Sequence, residues 1–121
     1  MNLAPEIEQA ARTLGQILHD QEVTRAYLEG CQRVETDPEA SALEKEMVAL
    51  YQALITRQQA GEQLSHDEVE AFHALRNRFF KHPRVSEREA ALRPLKSLFA
   101  EVAVEISFPL GVDYMILAQP G

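Results

Sequence analysis

Four apolar stripes, each stepping by three or four residues, constrain this chain more than any other feature. Leu3, Ile7, Ala10, Leu14 and Ile17 make the first. Ala40, Leu43, Met47, Leu50 and Leu54 make the second, and Val69, Phe72, Leu75 and Phe79 the third. Leu92, Leu95, Phe99, Val102 and Ile106 make the fourth. Steps of this size keep an apolar band on one side of a helix. No segment sustains the period-two alternation of a half-buried strand. The spacing therefore predicts an all-α fold, an antiparallel bundle of four to five helices. The stripes at 40–54 and 92–106 step close to 3.5 residues, the spacing of near-parallel helix packing. Leu43, Met47, Leu50, Leu54, Leu92, Leu95, Phe99, Val102 and Ile106 are thus expected to form a core or a coiled-coil-like seam between copies. A homodimer or higher oligomer follows from that reading.

Boundary signals agree with the stripes. Asp37 before Pro38 reads as an N-cap with proline at the first helical position. Gly61 is placed to end that helix. Ser65 with Glu68, and Ser86 with Glu89, each read as a capping box. Pro83 and Pro109 are expected to punctuate the last boundaries. Asp20 is expected to break the first third of the chain by capping a new helix over 21–34. Pro94 removes one hydrogen bond and crowds the carbonyl of Ala90, so the last helix is expected to kink or restart there. The tail 108–121, apolar but broken by Pro109, Gly111 and Pro120, is expected to dock or fray.

At 121 residues the chain has the size of one domain, and 1–121 is read as a single helical domain. Apolar residues at 45% and charged residues at 26% suit a globular protein with a core of its own. A single cysteine leaves no internal disulfide and suits a reducing compartment. No apolar run approaches the roughly 18 residues of a membrane span. The acidic start, with Glu6 and Glu8, is unlike a secretory signal. A cytoplasmic location is the expectation.

The net charge of −7 disfavours non-specific binding to nucleic acid or acidic lipid. Its distribution is uneven. Residues 1–75 carry −9 and residues 97–121 carry −3, whereas residues 76–96 carry +5. Arg76, Arg78, Lys81, Arg84, Arg88, Arg93 and Lys96 make that basic run. It reads either as a solvated face paired with acidic helices or as a docking patch for an acidic partner.

Chemistry-bearing patterns are sparse. There is no glycine-rich phosphate loop, nucleophile elbow or HExxH zinc motif. No catalytic residue and no cofactor are expected. Glu70 and His73 form one Glu-x-x-His, where a di-iron bundle needs two such motifs and two further Glu ligands. A metal-binding bundle using Glu70 and His73 is the alternative reading, and a symmetric dimer would have to supply the second motif. Cys31 and His19 lack a third, orienting group and read as packing and surface residues. His82 before Pro83 reads as an imidazolium at a helix C-terminus. Arg76, Asn77 and Arg78 beside Phe79 and Phe80 would stack bases only from an exposed platform, so no direct nucleic-acid partner is expected. Gly15, on the apolar side of the first helix, reads as a point of close helix approach.

The order of these features resembles the YlbF/YmcA family of small helical bacterial regulators. The resemblance rests on Ala10-Ala11, Leu14-Gly15 and Ile17, on Tyr27, and on Asp37-Pro38-Glu39-Ala40 with Leu43. It continues through Gly61, Pro83-Arg84-Val85, Leu95, Leu98 and Val102, covering residues 7–107. It implies a non-enzymatic regulator that self-associates and acts through protein contacts. In the family this implies a complex working with the membrane-bound endoribonuclease Y on particular transcripts, with effects on competence, sporulation and biofilm formation. The partners implied are self, a family paralogue or an endoribonuclease. Iron–sulfur clusters are associated with that complex, but Cys31 offers at most one ligand per chain, so no cluster is carried over. The chain also departs from the family at Val23, where an aromatic is expected, and at Pro94.

Overall fold

The computed structural model describes residues 2–120. Among them are six helices and no strand: α1 (Pro5–His19), α2 (Glu22–Thr36), α3 (Pro38–Gln59), α4 (His66–Lys81), α5 (Pro83–Leu110) and α6 (Tyr114–Ala118). The chain forms two compact units. One comprises residues 29–89 and the other residues 1–28 with 90–121, so the division falls within α2 and α5.

The 29–89 unit has a dense core. Val34, Ala40, Leu43, Leu75, Phe79 and Val85 form one buried cluster, with Met47, Leu50 and Phe80 packed against it. Val34, Phe79 and Val85 are almost wholly withdrawn from water. Burial of an aliphatic or aromatic side chain of this size contributes roughly 1.5–3 kcal/mol. The stripe at 40–54 thus serves the interior of its own chain: Leu43 and Leu54 are buried, and Met47 and Leu50 line the core.

Helices α3 and α4 pack as a hairpin. Arg57 pairs with Glu68, and the rings of Tyr51 and Phe72 lie 5.7 Å apart. Met47 and Val48 share a cleft with Arg76 and Phe80. Ascending positions on α3 meet descending positions on α4, so the two run antiparallel. Local chemistry fixes both ends of this hairpin. Asp37 accepts the Ala40 N–H at 2.9 Å and Pro38 begins α3. At the other end Gly61 takes φ = 88°. Its N–H donates to the Gln58 carbonyl and that of Glu62 to the Arg57 carbonyl, a complete Schellman stop. Ser65 and Glu68 form the expected reciprocal capping box.

Several boundaries differ from expectation. The chain does break at Asp20, but Asp20 ends α1 rather than capping α2. Its carboxylate turns back to His19 and Gln16, which hold its pKa below the usual aspartate range. The Ser86–Glu89 capping box does not form, because α5 already begins at Pro83. The Ser86 N–H donates instead to the His82 carbonyl at 2.9 Å. His82 alone links α4 to α5, at the helix end where the sequence puts it. Its Nδ1 accepts the Arg84 N–H at 3.2 Å.

Pro94 and Pro109 both lie inside α5, which neither restarts at the first nor stops at the second. An interior proline costs about 3 kcal/mol of helix propensity. The buried Leu95 and Ala103 beyond Pro94 favour continuation. At Pro109 the last turn is nearly complete, and the helix ends one residue later at Leu110, followed by Gly111 at φ = 80°. The tail adds a helix beyond the four to five expected. Asp113 caps α6 by accepting the Ile116 N–H, and the Tyr114 N–H donates to Ser107 Oγ at 2.8 Å.

Candidate functional site

The basic run does not act as one block. Arg76, Arg78, Lys81 and Arg84 stay exposed on the last turns of α4 and the first turn of α5. Arg78 and Lys81 border a cleft of 320 Å³ with Glu39, Leu43, His82 and Pro83. Among the described residues neither has an acidic partner. Arg84 makes only the exposed i,i+3 pair with Glu87, at 3.3 Å, an interaction worth a few tenths of a kcal/mol. Arg76 lies over the Phe80 ring, 4.8 Å from its centroid. Phe79 is buried, so these aromatics present no open stacking platform.

Arg88 turns inward. Its side chain is 14% exposed and reaches Glu44 at 3.3 Å and Glu89 at 3.0 Å, with Phe79 beneath the guanidinium. Burial opposes its charge, but the hydrogen bonds it donates to Glu89 and Glu44 outweigh that and raise its pKa. Its Nε is buried without a hydrogen-bond partner. Arg88 therefore pairs within the 29–89 unit, linking α5 to Glu44 of α3. Arg93 and Lys96, both exposed, belong to the other unit.

Gly30 is the residue that sequence reasoning missed. A Cβ built on it would stand 3.0 Å from the Arg88 Cα, so α2 and α5 meet there almost backbone to backbone. Gly15, where close approach was expected, has nothing within 4 Å of its position in this chain and is exposed. The two glycines have equal propensities, and no local signal separates them.

The metal candidates are placed plainly. Glu70 and His73 are exposed on α4, and His73 stacks on Phe72 with ring centroids 6.0 Å apart. Among the described residues no three His, Cys, Asp or Glu side chains gather in a way that could hold a metal ion. Cys31 is a partly buried free thiol on α2. His19 is exposed and bonded to Asp20, in the other unit.

In the 1–28 and 90–121 unit, the five residues of the last stripe divide, with Leu92 half-buried. Leu95 is buried and Phe99 exposed. Val102 and Ile106 line a cleft of 680 Å³ with Leu14 and Leu98, edged by Glu101 and Glu105. No helix among the described residues is long and apolar enough to cross a membrane.

The described residues are thus all-helical or in turns, with exposed cations on one unit and exposed apolar side chains on the other. Residues 7–111 match the family described as control of competence regulator ComK, YlbF/YmcA, and the chain belongs to that family of regulators. No curated protein and no solved structure matches it.

Proposed function

We propose that the chain is a non-enzymatic regulatory adaptor whose 29–89 unit docks an acidic partner through Arg76, Arg78, Lys81 and Arg84. The observation that carries this reading is the pair Arg78 and Lys81, exposed at one cleft and in no salt bridge among the described residues, in a chain of net charge −7. Cations left unpaired in an acidic protein act as a local attractor for negative surfaces. The regulatory family supports the contact-based role. Within that role the partner is an endoribonuclease or a family paralogue, and the consequence is altered RNA processing, competence or biofilm development. The chain works in the cytoplasm.

The test is affinity capture from native-host lysate, with and without ribonuclease treatment, read by mass spectrometry. An endoribonuclease or paralogue that survives ribonuclease treatment, and is lost with Arg78→Glu/Lys81→Glu/Arg84→Glu, supports the reading. Recovery of the chain alone would leave a self-associating scaffold in its place.

A further inference from the structure

The 29–89 unit withdraws its large apolar side chains from water with one local exception. Among its described residues only Val48 and Tyr51 stay exposed, each at 49%. They stand one turn apart on α3 and border one cleft of 340 Å³, which Phe72 and Phe80 of α4 close from the other side. Met47 and Phe80 also line it and pack against the core, so its floor is braced from behind. The aromatic side chains are already arranged around it. The Tyr51 and Phe72 rings tilt at 42° to each other, and Phe80 carries the Arg76 guanidinium over its face. Charge sets this cleft apart from others in the chain. Glu101 and Glu105 edge the 680 Å³ cleft of the other unit, and Glu39 lines the 320 Å³ cleft. Here the polar side chains are Gln52 and Arg76, and no carboxylate is among the described lining residues. The Arg76 side chain is in no salt bridge among the described residues, so its N–H fork is available.

We infer that this cleft binds a small aromatic carboxylate, its ring among Tyr51, Phe72 and Phe80 and its carboxylate on Arg76. The size fits such a ligand. Small-molecule sites begin at about 300 Å³, walled by apolar and aromatic side chains with a few polar groups among them. A protein partner needs about 800 Å² from each side, and two exposed apolar side chains fall well short of that. The chemistry fits as well. A planar ring can stack on, or meet edge to face, each of the three aromatic walls. A guanidinium matches a carboxylate through two parallel N–H···O bonds, a geometry that neither an alcohol nor an amine reproduces. Phe80 restrains the guanidinium before any ligand arrives, which lowers the cost of ordering it. In a chain of net charge −7, a lone cation on an apolar cleft is also where a small anion is least repelled.

Ligand binding here does not depend on the adaptor reading. Arg76 belongs to both surfaces, but partner capture is tested by changing Arg78, Lys81 and Arg84, so either can fail alone. The probe is naphthoate, titrated into the purified full chain and followed by backbone amide shifts in NMR. Saturation below millimolar concentration is expected, with the shifts confined to α3 and α4. Arg76→Gln, at an exposed position, is expected to keep the fold and weaken binding at least about tenfold. Val48→Glu sets a carboxylate at the cleft and is expected to do the same. Arg93→Gln, an exposed cation of the other unit, leaves the affinity unchanged. Naphthylmethanol, which keeps the ring without the charge, and octanoate, which keeps the charge without the ring, are each expected to bind at least about tenfold more weakly. Equal binding of naphthylmethanol overturns the role of the carboxylate, and equal binding of octanoate overturns that of the ring. Absence of saturation, shifts confined to α1 and α6, or wild-type affinity in Arg76→Gln overturns the site itself.

Discussion

Gly30 and Arg88 touch through their backbones: only 3.0 Å separates the Arg88 Cα from where a Gly30 side chain would begin. The atom met is main chain, carried by a helix whose Val85 is fully buried, so it has little freedom to retreat. Alanine would add nearly 1 kcal/mol of helix propensity at either Gly15 or Gly30. The expected outcomes therefore diverge. Gly15→Ala raises the stability of the monomer by up to about 1 kcal/mol. Gly30→Ala loses that gain to the contact, and Gly30→Leu costs about 1–3 kcal/mol. Urea unfolding of the three variants at low protein concentration checks this, and a stabilised Gly30→Leu would contradict it.

Glu68 links three groups: the Arg57 guanidinium, the Ser65 N–H and the Ser65 hydroxyl end of the capping box. Arg57 contributes most to lowering the Glu68 pKa from 4.5 to about 2. A depressed carboxylate contributes stability above its unfolded pKa and loses it as pH falls. The Glu68 contribution is thus complete above pH 4.5 and lost toward pH 2. Glu68→Gln keeps a side chain able to complete the capping box and removes the ion pair. Its melting temperature is expected to fall below wild type at neutral pH and to converge with it near pH 2. Parallel pH–melting curves would show that the pair has no net effect.

Phe79 sits where α2, α3, α4 and α5 share a core, at 1% exposure. Truncation leaves a cavity the size of a ring among residues held by four helices. Phe79→Ala is expected to cost about 3–5 kcal/mol, by denaturant titration. Phe108→Ala, at 87% exposure, should leave the monomer within about 0.5 kcal/mol of wild type.

Asp37 caps α3 and also stands 3.5 Å from His82 Nε2. Asp37→Ala removes the acceptor of the Ala40 N–H and should cost about 1 kcal/mol. Because His82 is itself the acceptor for the Arg84 N–H, the two sites share one ring. A double-mutant cycle of Asp37→Ala with His82→Ala is expected to be non-additive, and strict additivity would show the two caps to be independent.

The basic run separates by orientation, and charge reversal should report it. Arg78→Glu and Lys81→Glu place a carboxylate in water and should leave unfolding free energy within about 0.5 kcal/mol. Arg88→Glu places one beside Glu44 and Glu89 with no cation between them, and should cost about 3–5 kcal/mol. Thermal melts of the three variants distinguish these outcomes.

The sequence by itself determined whatever is decided within a few residues. Helix stripes, the Asp37–Pro38 start, the Gly61 stop and the Ser65–Glu68 box are all set by bonds between near neighbours, and all stand where the spacing put them. Near-neighbour signals failed where a second local solution was equally available. Ser86 has the residues of a cap, but a helix begun at Pro83 had already absorbed it. Asp20 is a good cap for either flanking helix, and bonds to Gln16 and His19 chose the first. Tertiary structure alone decided the rest. Whether Arg88 faces solvent or Glu44, and whether Gly30 or Gly15 meets another helix, depends on residues 44 to 58 positions away. The stripe at 40–54 and the stripe at 3–17 read alike along the chain. One is spent on a core because α4 lies across it, whereas in the other Leu14 alone is half-covered, at a cleft with Leu98, Val102 and Ile106, and Ile7 and Ile17 stay in water.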